Sequence, residues 1–524
     1  MSGHEPASGA ARLGAGASPS SGERNPSTVT ASVTSTTEQH ESNPPERAYR
    51  HPAWLERLFG VARRGSTVGT EIRGGVVTFF AMAYIVILNP IIIGGTETRA
   101  ATDVLGGWLP NGQVAAATAL TAGVMTILFG VVANLPFGLA AGLGVNSFLA
   151  VSVIQDVTWQ EAMGLVVING VVITILSLTG LRERIFDAIP QQLKTAITVG
   201  IGLFIAFIGL VDAGFVRSSG IASPPVQLAD NGSISTWPVV MFVITLVIMG
   251  VLMARKVRGA LLIGLVVSTI LAMILEGVLH LGSSVDSAGG WSLNVPELPS
   301  TLLSVPDLSL VGAVDFGAFA RIGWLSATML VFTLFFTSFF DAMGTMTGLA
   351  KAAGLADEQG NFPRLRSAMV MEGVAVAAGG ATSCSANTVF VDSAAGVGEG
   401  ARTGLASVVT GLLFLAAMFL TPLTAIVPSE VAAAALVAVG SLMVAQIRDI
   451  DWSEYSAALP VFLTITVMPL TYSIANGIGV GFISWVVIRT LSGRWRDISP
   501  LMWVVALGFL VYFARGPIET LMGV

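Results

Sequence analysis

The chain has 524 residues, of which 53% are apolar and only 11% are Asp, Glu, Lys or Arg, and its formal net charge is −6. Soluble proteins carry about 25% charged residues, and mean hydropathy here is +0.78. These values exclude a soluble enzyme, a nucleic-acid binder and a disordered chain, and they point to an all-α polytopic membrane protein; the long continuous apolar runs argue against a β-barrel.

Residues 1–50 are rich in Ser, Thr, Gly, Pro and Glu, so they read as a disordered tail that cannot bury a core. No apolar run of a secretory signal stands there. Residues 51–73 follow as a lead-in helix at the membrane interface, with Trp54, Leu55, Leu58 and Phe59 at helical spacing. A first set of seven membrane segments covers 74–94, 113–134, 137–153, 160–180, 195–212, 236–254 and 259–279. The repeat spans 74–280, and a connection at 281–321 on the extracellular side links it to a second repeat at 322–515. The second seven cover 322–349, 367–382, 385–397, 403–426, 430–447, 456–472 and 474–490. A last apolar stretch, 499–514, either spans or lies against the others.

Charge placement orients these segments. With the N-terminus cytoplasmic, the inside connections hold Arg63, Arg64, Arg73, Arg182, Arg184, Lys194, Arg255, Lys256, Arg258, Lys351, Arg364 and Arg366. The outside connections hold isolated Arg99, Arg217 and Arg321. This is the positive-inside pattern of a multi-pass protein of the plasma (inner) membrane.

Two segments are short and polar for spans, and they occupy the third place of each set of seven. They are Phe137–Phe148, containing Gly142-Leu-Gly-Val-Asn146, and Thr382–Gly396, containing Asp392. Broken helices at matching places in two halves mark a transporter site, because freed backbone amides need a partner. The β-branched Thr388, Val389 and Val391 suit a short extended piece. Seven is odd, so two such halves have opposite orientations, with helices 3 and 10 broken near mid-membrane.

Acids inside the bilayer read as functional by default, the alternative being a helix-pinning hydrogen bond. Asp341, Asp392 and Glu372 are the candidates, and Asn146 is a polar, uncharged one. Cys384 is the single cysteine and reads as a small packing residue. Glu276, near a helix end, reads as snorkelling to the interface. Walker A, H-E-x-x-H and G-x-S-x-G patterns are absent, and the four histidines form no cluster. Neither an enzyme, a metal site nor a cofactor is expected.

The strings Thr70-Glu-Ile-Arg-Gly-Gly-Val-Val-Thr-Phe-Phe-Ala-Met-Ala-Tyr-Ile-Val-Ile-Leu-Asn-Pro90, Ala133-Asn-Leu-Pro-Phe137, Ser177-Leu-Thr-Gly-Leu-Arg-Glu183, Gly200-Ile-Gly-Leu-Phe-Ile-Ala-Phe-Ile-Gly-Leu210, Asp392-Ser-Ala-Ala-Gly396, Gly400-Ala-Arg-Thr-Gly404 and Met468-Pro-Leu-Thr-Tyr-Ser-Ile-Ala-Asn-Gly477 resemble the AzgA-like purine permeases of the nucleobase:cation symporter-2 family. The resemblance covers about 52–515. It implies 14 helices in two inverted seven-helix repeats, a core domain (helices 1–4 and 8–11) and a gate domain (helices 5–7 and 12–14) that mediates homodimerisation. It also implies proton-coupled uptake of adenine, guanine or hypoxanthine. Asn146 matches the family asparagine of helix 3, Asp392 the acid of helix 10 (usually Glu), and Asp341 the second acid of an Asp-x-x-Asp pair. Ser338 replaces the first acid of that pair.

The expected site therefore binds substrate through Asn146, Asp392, Ser338, Phe148, Phe390 and Thr388, and couples protons through Asp341, Asp392 and Glu372. The rival readings are a carrier of another nucleobase (xanthine, urate or a pyrimidine) and an anion transporter of the same architecture.

Overall fold

A computed structural model of the chain describes residues 52–514, apart from 97–98, 182–187, 222, 231, 288, 300 and 357–361. The proposed disordered tail, Arg182 and Arg184 lie outside the described residues.

A bilayer interior offers no water to backbone groups, so a spanning chain satisfies them within helices. The described chain is mostly helical, and ten helices are long and apolar enough to cross a membrane. Helix starts carry side-chain caps. Thr67 accepts from the Thr70 amide, Ser473 from the Asn476 amide, and Thr158 with Glu161 forms a capping box. The lead-in helix is confined to Ala53–Phe59, and the first span already begins at Val68. Leu55, Phe59 and Val61 pack inward against Val131 and Leu405, while Trp54 and Leu58 stay exposed. The terminal helix, Pro500–Phe513, has 14 residues. At 1.5 Å per residue it reaches about 21 Å, short of a ~30 Å hydrocarbon core, and it packs through Phe509 on Phe332, Phe336 and Phe482.

The helices sort by packing into two bundles. One joins Asn111–Val132 to Gly404–Ala417, and Trp159–Thr179 to Leu365–Ala381. In the seven-plus-seven numbering these are segments 2 with 11 and 4 with 9. Exchanging the halves turns one pair into the other, as an inverted repeat requires. The second bundle is centred on Gln191–Asp212 against Ser429–Val444, segments 5 and 12, a pair that maps onto itself. All three crossings use glycine to bring backbones together. A Cβ on Gly130 would stand 2.5 Å from the Gly404 carbonyl oxygen, one on Gly170 2.2 Å from the Ala377 nitrogen, and one on Gly440 2.4 Å from the Gly202 carbonyl oxygen.

The two broken segments meet between the repeats. Leu139–Ala141 pairs antiparallel with Asn387–Val389, Leu139 opposite Val389, Ala140 opposite Thr388 and Ala141 opposite Asn387. The Phe390 amide donates to the Gly138 carbonyl at 3.0 Å and the Gly142 amide to the Ala386 carbonyl at 2.9 Å, which extends the ladder. Side chains satisfy outward-facing amides of the first strand. Thr126 Oγ1 accepts from the Leu139 amide at 2.9 Å, and Ser393 Oγ accepts from the Gly138 amide at 2.9 Å. Short helices leave the strands, Leu143–Phe148 from one and Ala394–Gly398, after a 3₁₀ turn, from the other.

At one face of the bundle the arginines hold the ends of the core helices. Arg64 donates to the carbonyls of Asn134 and Arg402, and Arg364 to that of Val132 at 3.0 Å. Glu399 receives both Arg73, at 3.0 Å, and Arg258. The opposite face carries the connection 281–317. Its Ser292 amide donates to Glu430 at 2.9 Å, its Gly312 amide to the Ala381 carbonyl at 2.8 Å, and its Asp315 amide to the Gln160 carbonyl at 3.0 Å. Two arginines of this face are paired, Arg321 with Glu161 at 2.7 Å and Arg217 with Asp230 at 3.1 Å. Glu276 does not snorkel outward. It is buried and accepts from Trp291 Nε1 at 2.8 Å and from the Leu281 and Gly282 amides, pinning the start of the connection.

Candidate functional site

A cavity of about 770 Å³ runs from the broken segments to the arginine-rich face. Its wall is built in three parts. The helix Gly323–Ala352 contributes Thr337, Asp341, Gly344, Thr345 and Gly348, spaced i, i+4, i+7, i+8 and i+11, which is one helical face. The broken segments contribute Gly142, Gly144, Val389, Phe390 and Asp392. Thr198, Ile201 and Ile205 of the facing bundle close the apolar side, and Lys256 and Arg258 stand at the mouth.

Two of the expected acids are on this wall. Asp392 lies in the 3₁₀ turn Val391–Ser393, and its Oδ2 accepts from the Tyr84 hydroxyl at 3.0 Å. Asp341 lines the same cavity from the long helix. Gly142 stands beside both the second strand and Asp341: a Cβ there would sit 3.0 Å from Thr388 Oγ1 and 3.7 Å from Asp341 Oδ2. Glu372 is fully buried behind the wall, close enough to Asp341 for their charges to interact. The phenyl ring of Phe390 lies 6.3 Å from that of Tyr84, tilted by 52°.

Four expected substrate contacts do not line this cavity; one of them, Thr388, is buried in the strand Asn387–Val389 beside it. Ser338 is one position round the helix from Thr337, so it turns away from the cavity and accepts from Asn169 Nδ2 at 3.1 Å. Asn146 is fully buried and donates from Nδ2 to Asn89 Oδ1 at 2.6 Å. Asn89 in turn donates to Thr118 Oγ1 at 2.8 Å and to the Cys384 carbonyl at 3.0 Å. Asn146 therefore ties its half-helix to helix 1 and to the other broken segment. Phe148 borders a second, smaller cavity of about 340 Å³ at the opposite face, with Ser152, Asp156, Tyr472 and Asn476.

Tyr84 and Asn89 are the members that the sequence reading missed. Tyr84 stands where the first span breaks, between Val68–Met82 and Ile85–Ile93. The signal was a lone phenol and a lone amide inside an apolar run, groups that need a partner when buried.

The chain has recognisable relatives. Its residues 69–480 match the model of the Permease family. It is 34% identical to the guanine/hypoxanthine permease PbuG of Bacillus subtilis over 465 residues, 88% of this chain and 99% of that one. It is 34% identical to the adenine permease AdeP of Escherichia coli over 461 residues, 87% and 95% of the two chains. Among solved structures, the transmembrane domain of the cyanobacterial bicarbonate transporter BicA superposes with a TM-score of 0.52 at 14% identity, covering 84% of this chain and 97% of BicA. Murine Slc26a9 in its inward-facing state gives 0.54 at 11% identity, covering 90% and 77%. These two share the seven-plus-seven inverted-repeat fold. With the match spanning most of its length, this chain belongs to the Permease family, in the nucleobase:cation symporter-2 group that its motifs resemble.

Proposed function

We propose that the protein is a secondary active carrier that takes up purine nucleobases with protons by alternating access. The observation that carries this reading is the pair Asp341 and Asp392 on one cavity wall, in a chain related over 88% of its length to a guanine/hypoxanthine permease. Cavities of ~300–1,000 Å³ suit small planar ligands, and 770 Å³ falls within that range. Asp392 accepts a ring N–H or exocyclic amine, and the Phe390 face supports the ring. Asp341, with Glu372 behind it, and Asp392 beside the base share the coupling proton, because nearby carboxylates do not all stay ionised at low cost. An anion carrier fits this wall poorly, since both acids repel an anion.

In this reading the arginine-rich face is cytoplasmic, the protein sits in the plasma membrane, and the cavity is inward-open. Helices 1–4 and 8–11 act as the core, and the remaining spans form the gate through which two copies pair. Asn146 supports the half-helix from behind the site and does not touch the base.

Two results are expected. In proteoliposomes with an inward proton gradient, labelled hypoxanthine, guanine or adenine accumulates and saturates, and a protonophore reduces uptake to equilibration. Accumulation that survives the protonophore removes proton coupling, and the absence of purine uptake removes the function. Ser338→Ala, measured in the same assay, changes KM by less than about threefold, because its buried hydroxyl meets Asn169 and not the cavity; the Asn169 amide left unpaired costs stability, about 1–3 kcal/mol, and not substrate affinity. A tenfold rise would place Ser338 against the substrate.

A further inference from the structure

Tyr84 has no part in the mechanism above, yet its placement is specific. It is fully buried, lines the cavity, and spends its only hydroxyl donor on Asp392 Oδ2. Tyr84 is the one side chain that donates to this carboxylate among the described residues, its own backbone amide being the remaining partner. A free carboxylate presents two equivalent acceptors and turns about its last bond. Once one oxygen is held at 3.0 Å by a phenol fixed in the helix break, that rotation is lost. The group then presents its remaining lone pairs in a fixed direction. Charge-assisted bonds of this type are short and directional. The side chain here is Asp, one methylene shorter than the Glu that the family resemblance implies, so it has less freedom to compensate for a lost partner.

We propose that Tyr84 is a positioning residue which, by holding Asp392, makes the site read one ring N–H of the purine and so sets discrimination between a base and its N-methylated analogue. This rests on the purine reading, and the test separates the two. Equilibrium binding and uptake are measured on the purified carrier with hypoxanthine, adenine and their singly N-methylated derivatives.

Wild-type protein binds at least one base and rejects one of its methyl derivatives. Tyr84→Phe keeps the ring and removes only the hydroxyl. It weakens base binding roughly 10-fold, the scale of one charge-assisted hydrogen bond, and lowers the discrimination ratio by a similar factor. The loss falls on affinity and not on the rate at saturation. A wild-type protein that binds no purine overturns both readings. A wild-type protein that binds, beside a Tyr84→Phe protein with an unchanged ratio, overturns the positioning role alone and leaves the purine reading standing. A Tyr84→Phe loss confined to the rate at saturation also overturns it. Should Tyr84→Phe fail to accumulate, fluorinated tyrosine incorporated at position 84 keeps the fold and alters only the strength of the hydroxyl as a donor. The dissociation constant then shifts, and an unchanged one overturns the proposal.

Discussion

Asp392→Asn abolishes concentrative uptake while leaving a folded carrier. The amide keeps the size of the carboxylate and preserves a contact with Tyr84. It loses the charge, and a hydrogen bond to a charged group contributes ~1.5–3 kcal/mol, or roughly 10–100-fold in affinity. It also loses any ability to exchange a proton at the cavity wall. The two losses compound when substrate and proton use the same group, so initial uptake falls by on the order of 100-fold or more. Counting folded protein by size-exclusion profile and then measuring labelled purine uptake checks this. Wild-type rates in a well-folded Asp392→Asn protein would remove Asp392 from the site.

The second large effect is on the fold. Gly404→Ala adds one methyl group where the chain crosses Asn111–Val132. An ideal Cβ at that point stands 1.8 Å from the Gly130 carbonyl oxygen and 2.5 Å from its carbon. These atoms are backbone, so no side-chain rotation relieves the clash. The helices have to separate, and that moves the cap made by the Gly404 amide on Asn134 Oδ1 at 2.8 Å. Overpacking costs ~1–3 kcal/mol, more where backbone must shift, and the crossing carries half of the core bundle. The expected outcome is a several-fold loss of monodisperse protein and a Tm lowered by roughly 1–3 °C. Gly112→Ala is the control, since nothing lies within 4 Å of its added Cβ. Equal stability of the two variants would show that the crossing is looser than described.

Much of this architecture was legible in the residues. Long apolar runs announce spans, and glycine-rich polar interruptions at matching places announce the breaks. The extended piece at Asn387–Val389 followed from its β-branched residues, whereas its partner Leu139–Ala141 carries no such signal and is a strand only because the other strand lies beside it. The two acids of the wall could be named because charge is costly inside a bilayer. What sequence spacing did not reveal is direction. Ser338 and Asp341 are three apart, close enough to share a face, yet the cavity touches the stripe through Thr337 and Asp341 and leaves Ser338 to Asn169. Phe148 is two residues from Asn146 and borders the other cavity, because the half-helix turns it toward the opposite face. Tyr84 was hidden for a different reason. The break that exposes it falls at Ala83–Tyr84, without a glycine or proline at that point to mark it.

The backbone ladder between Leu139–Ala141 and Asn387–Val389 limits how the molecule can move. One strand comes from each repeat, so the repeats are stitched together beside the candidate site. A clamshell in which one half swings from the other would tear this seam and strand its amides in a dry interior. Under the proposed alternating access the stitched unit moves as one body, like a lift car with its passenger aboard, and slides against Gln191–Asp212 and its neighbours. Spectroscopic distances measured across the seam stay constant through the transport cycle, while those from the seam to the surrounding helices change.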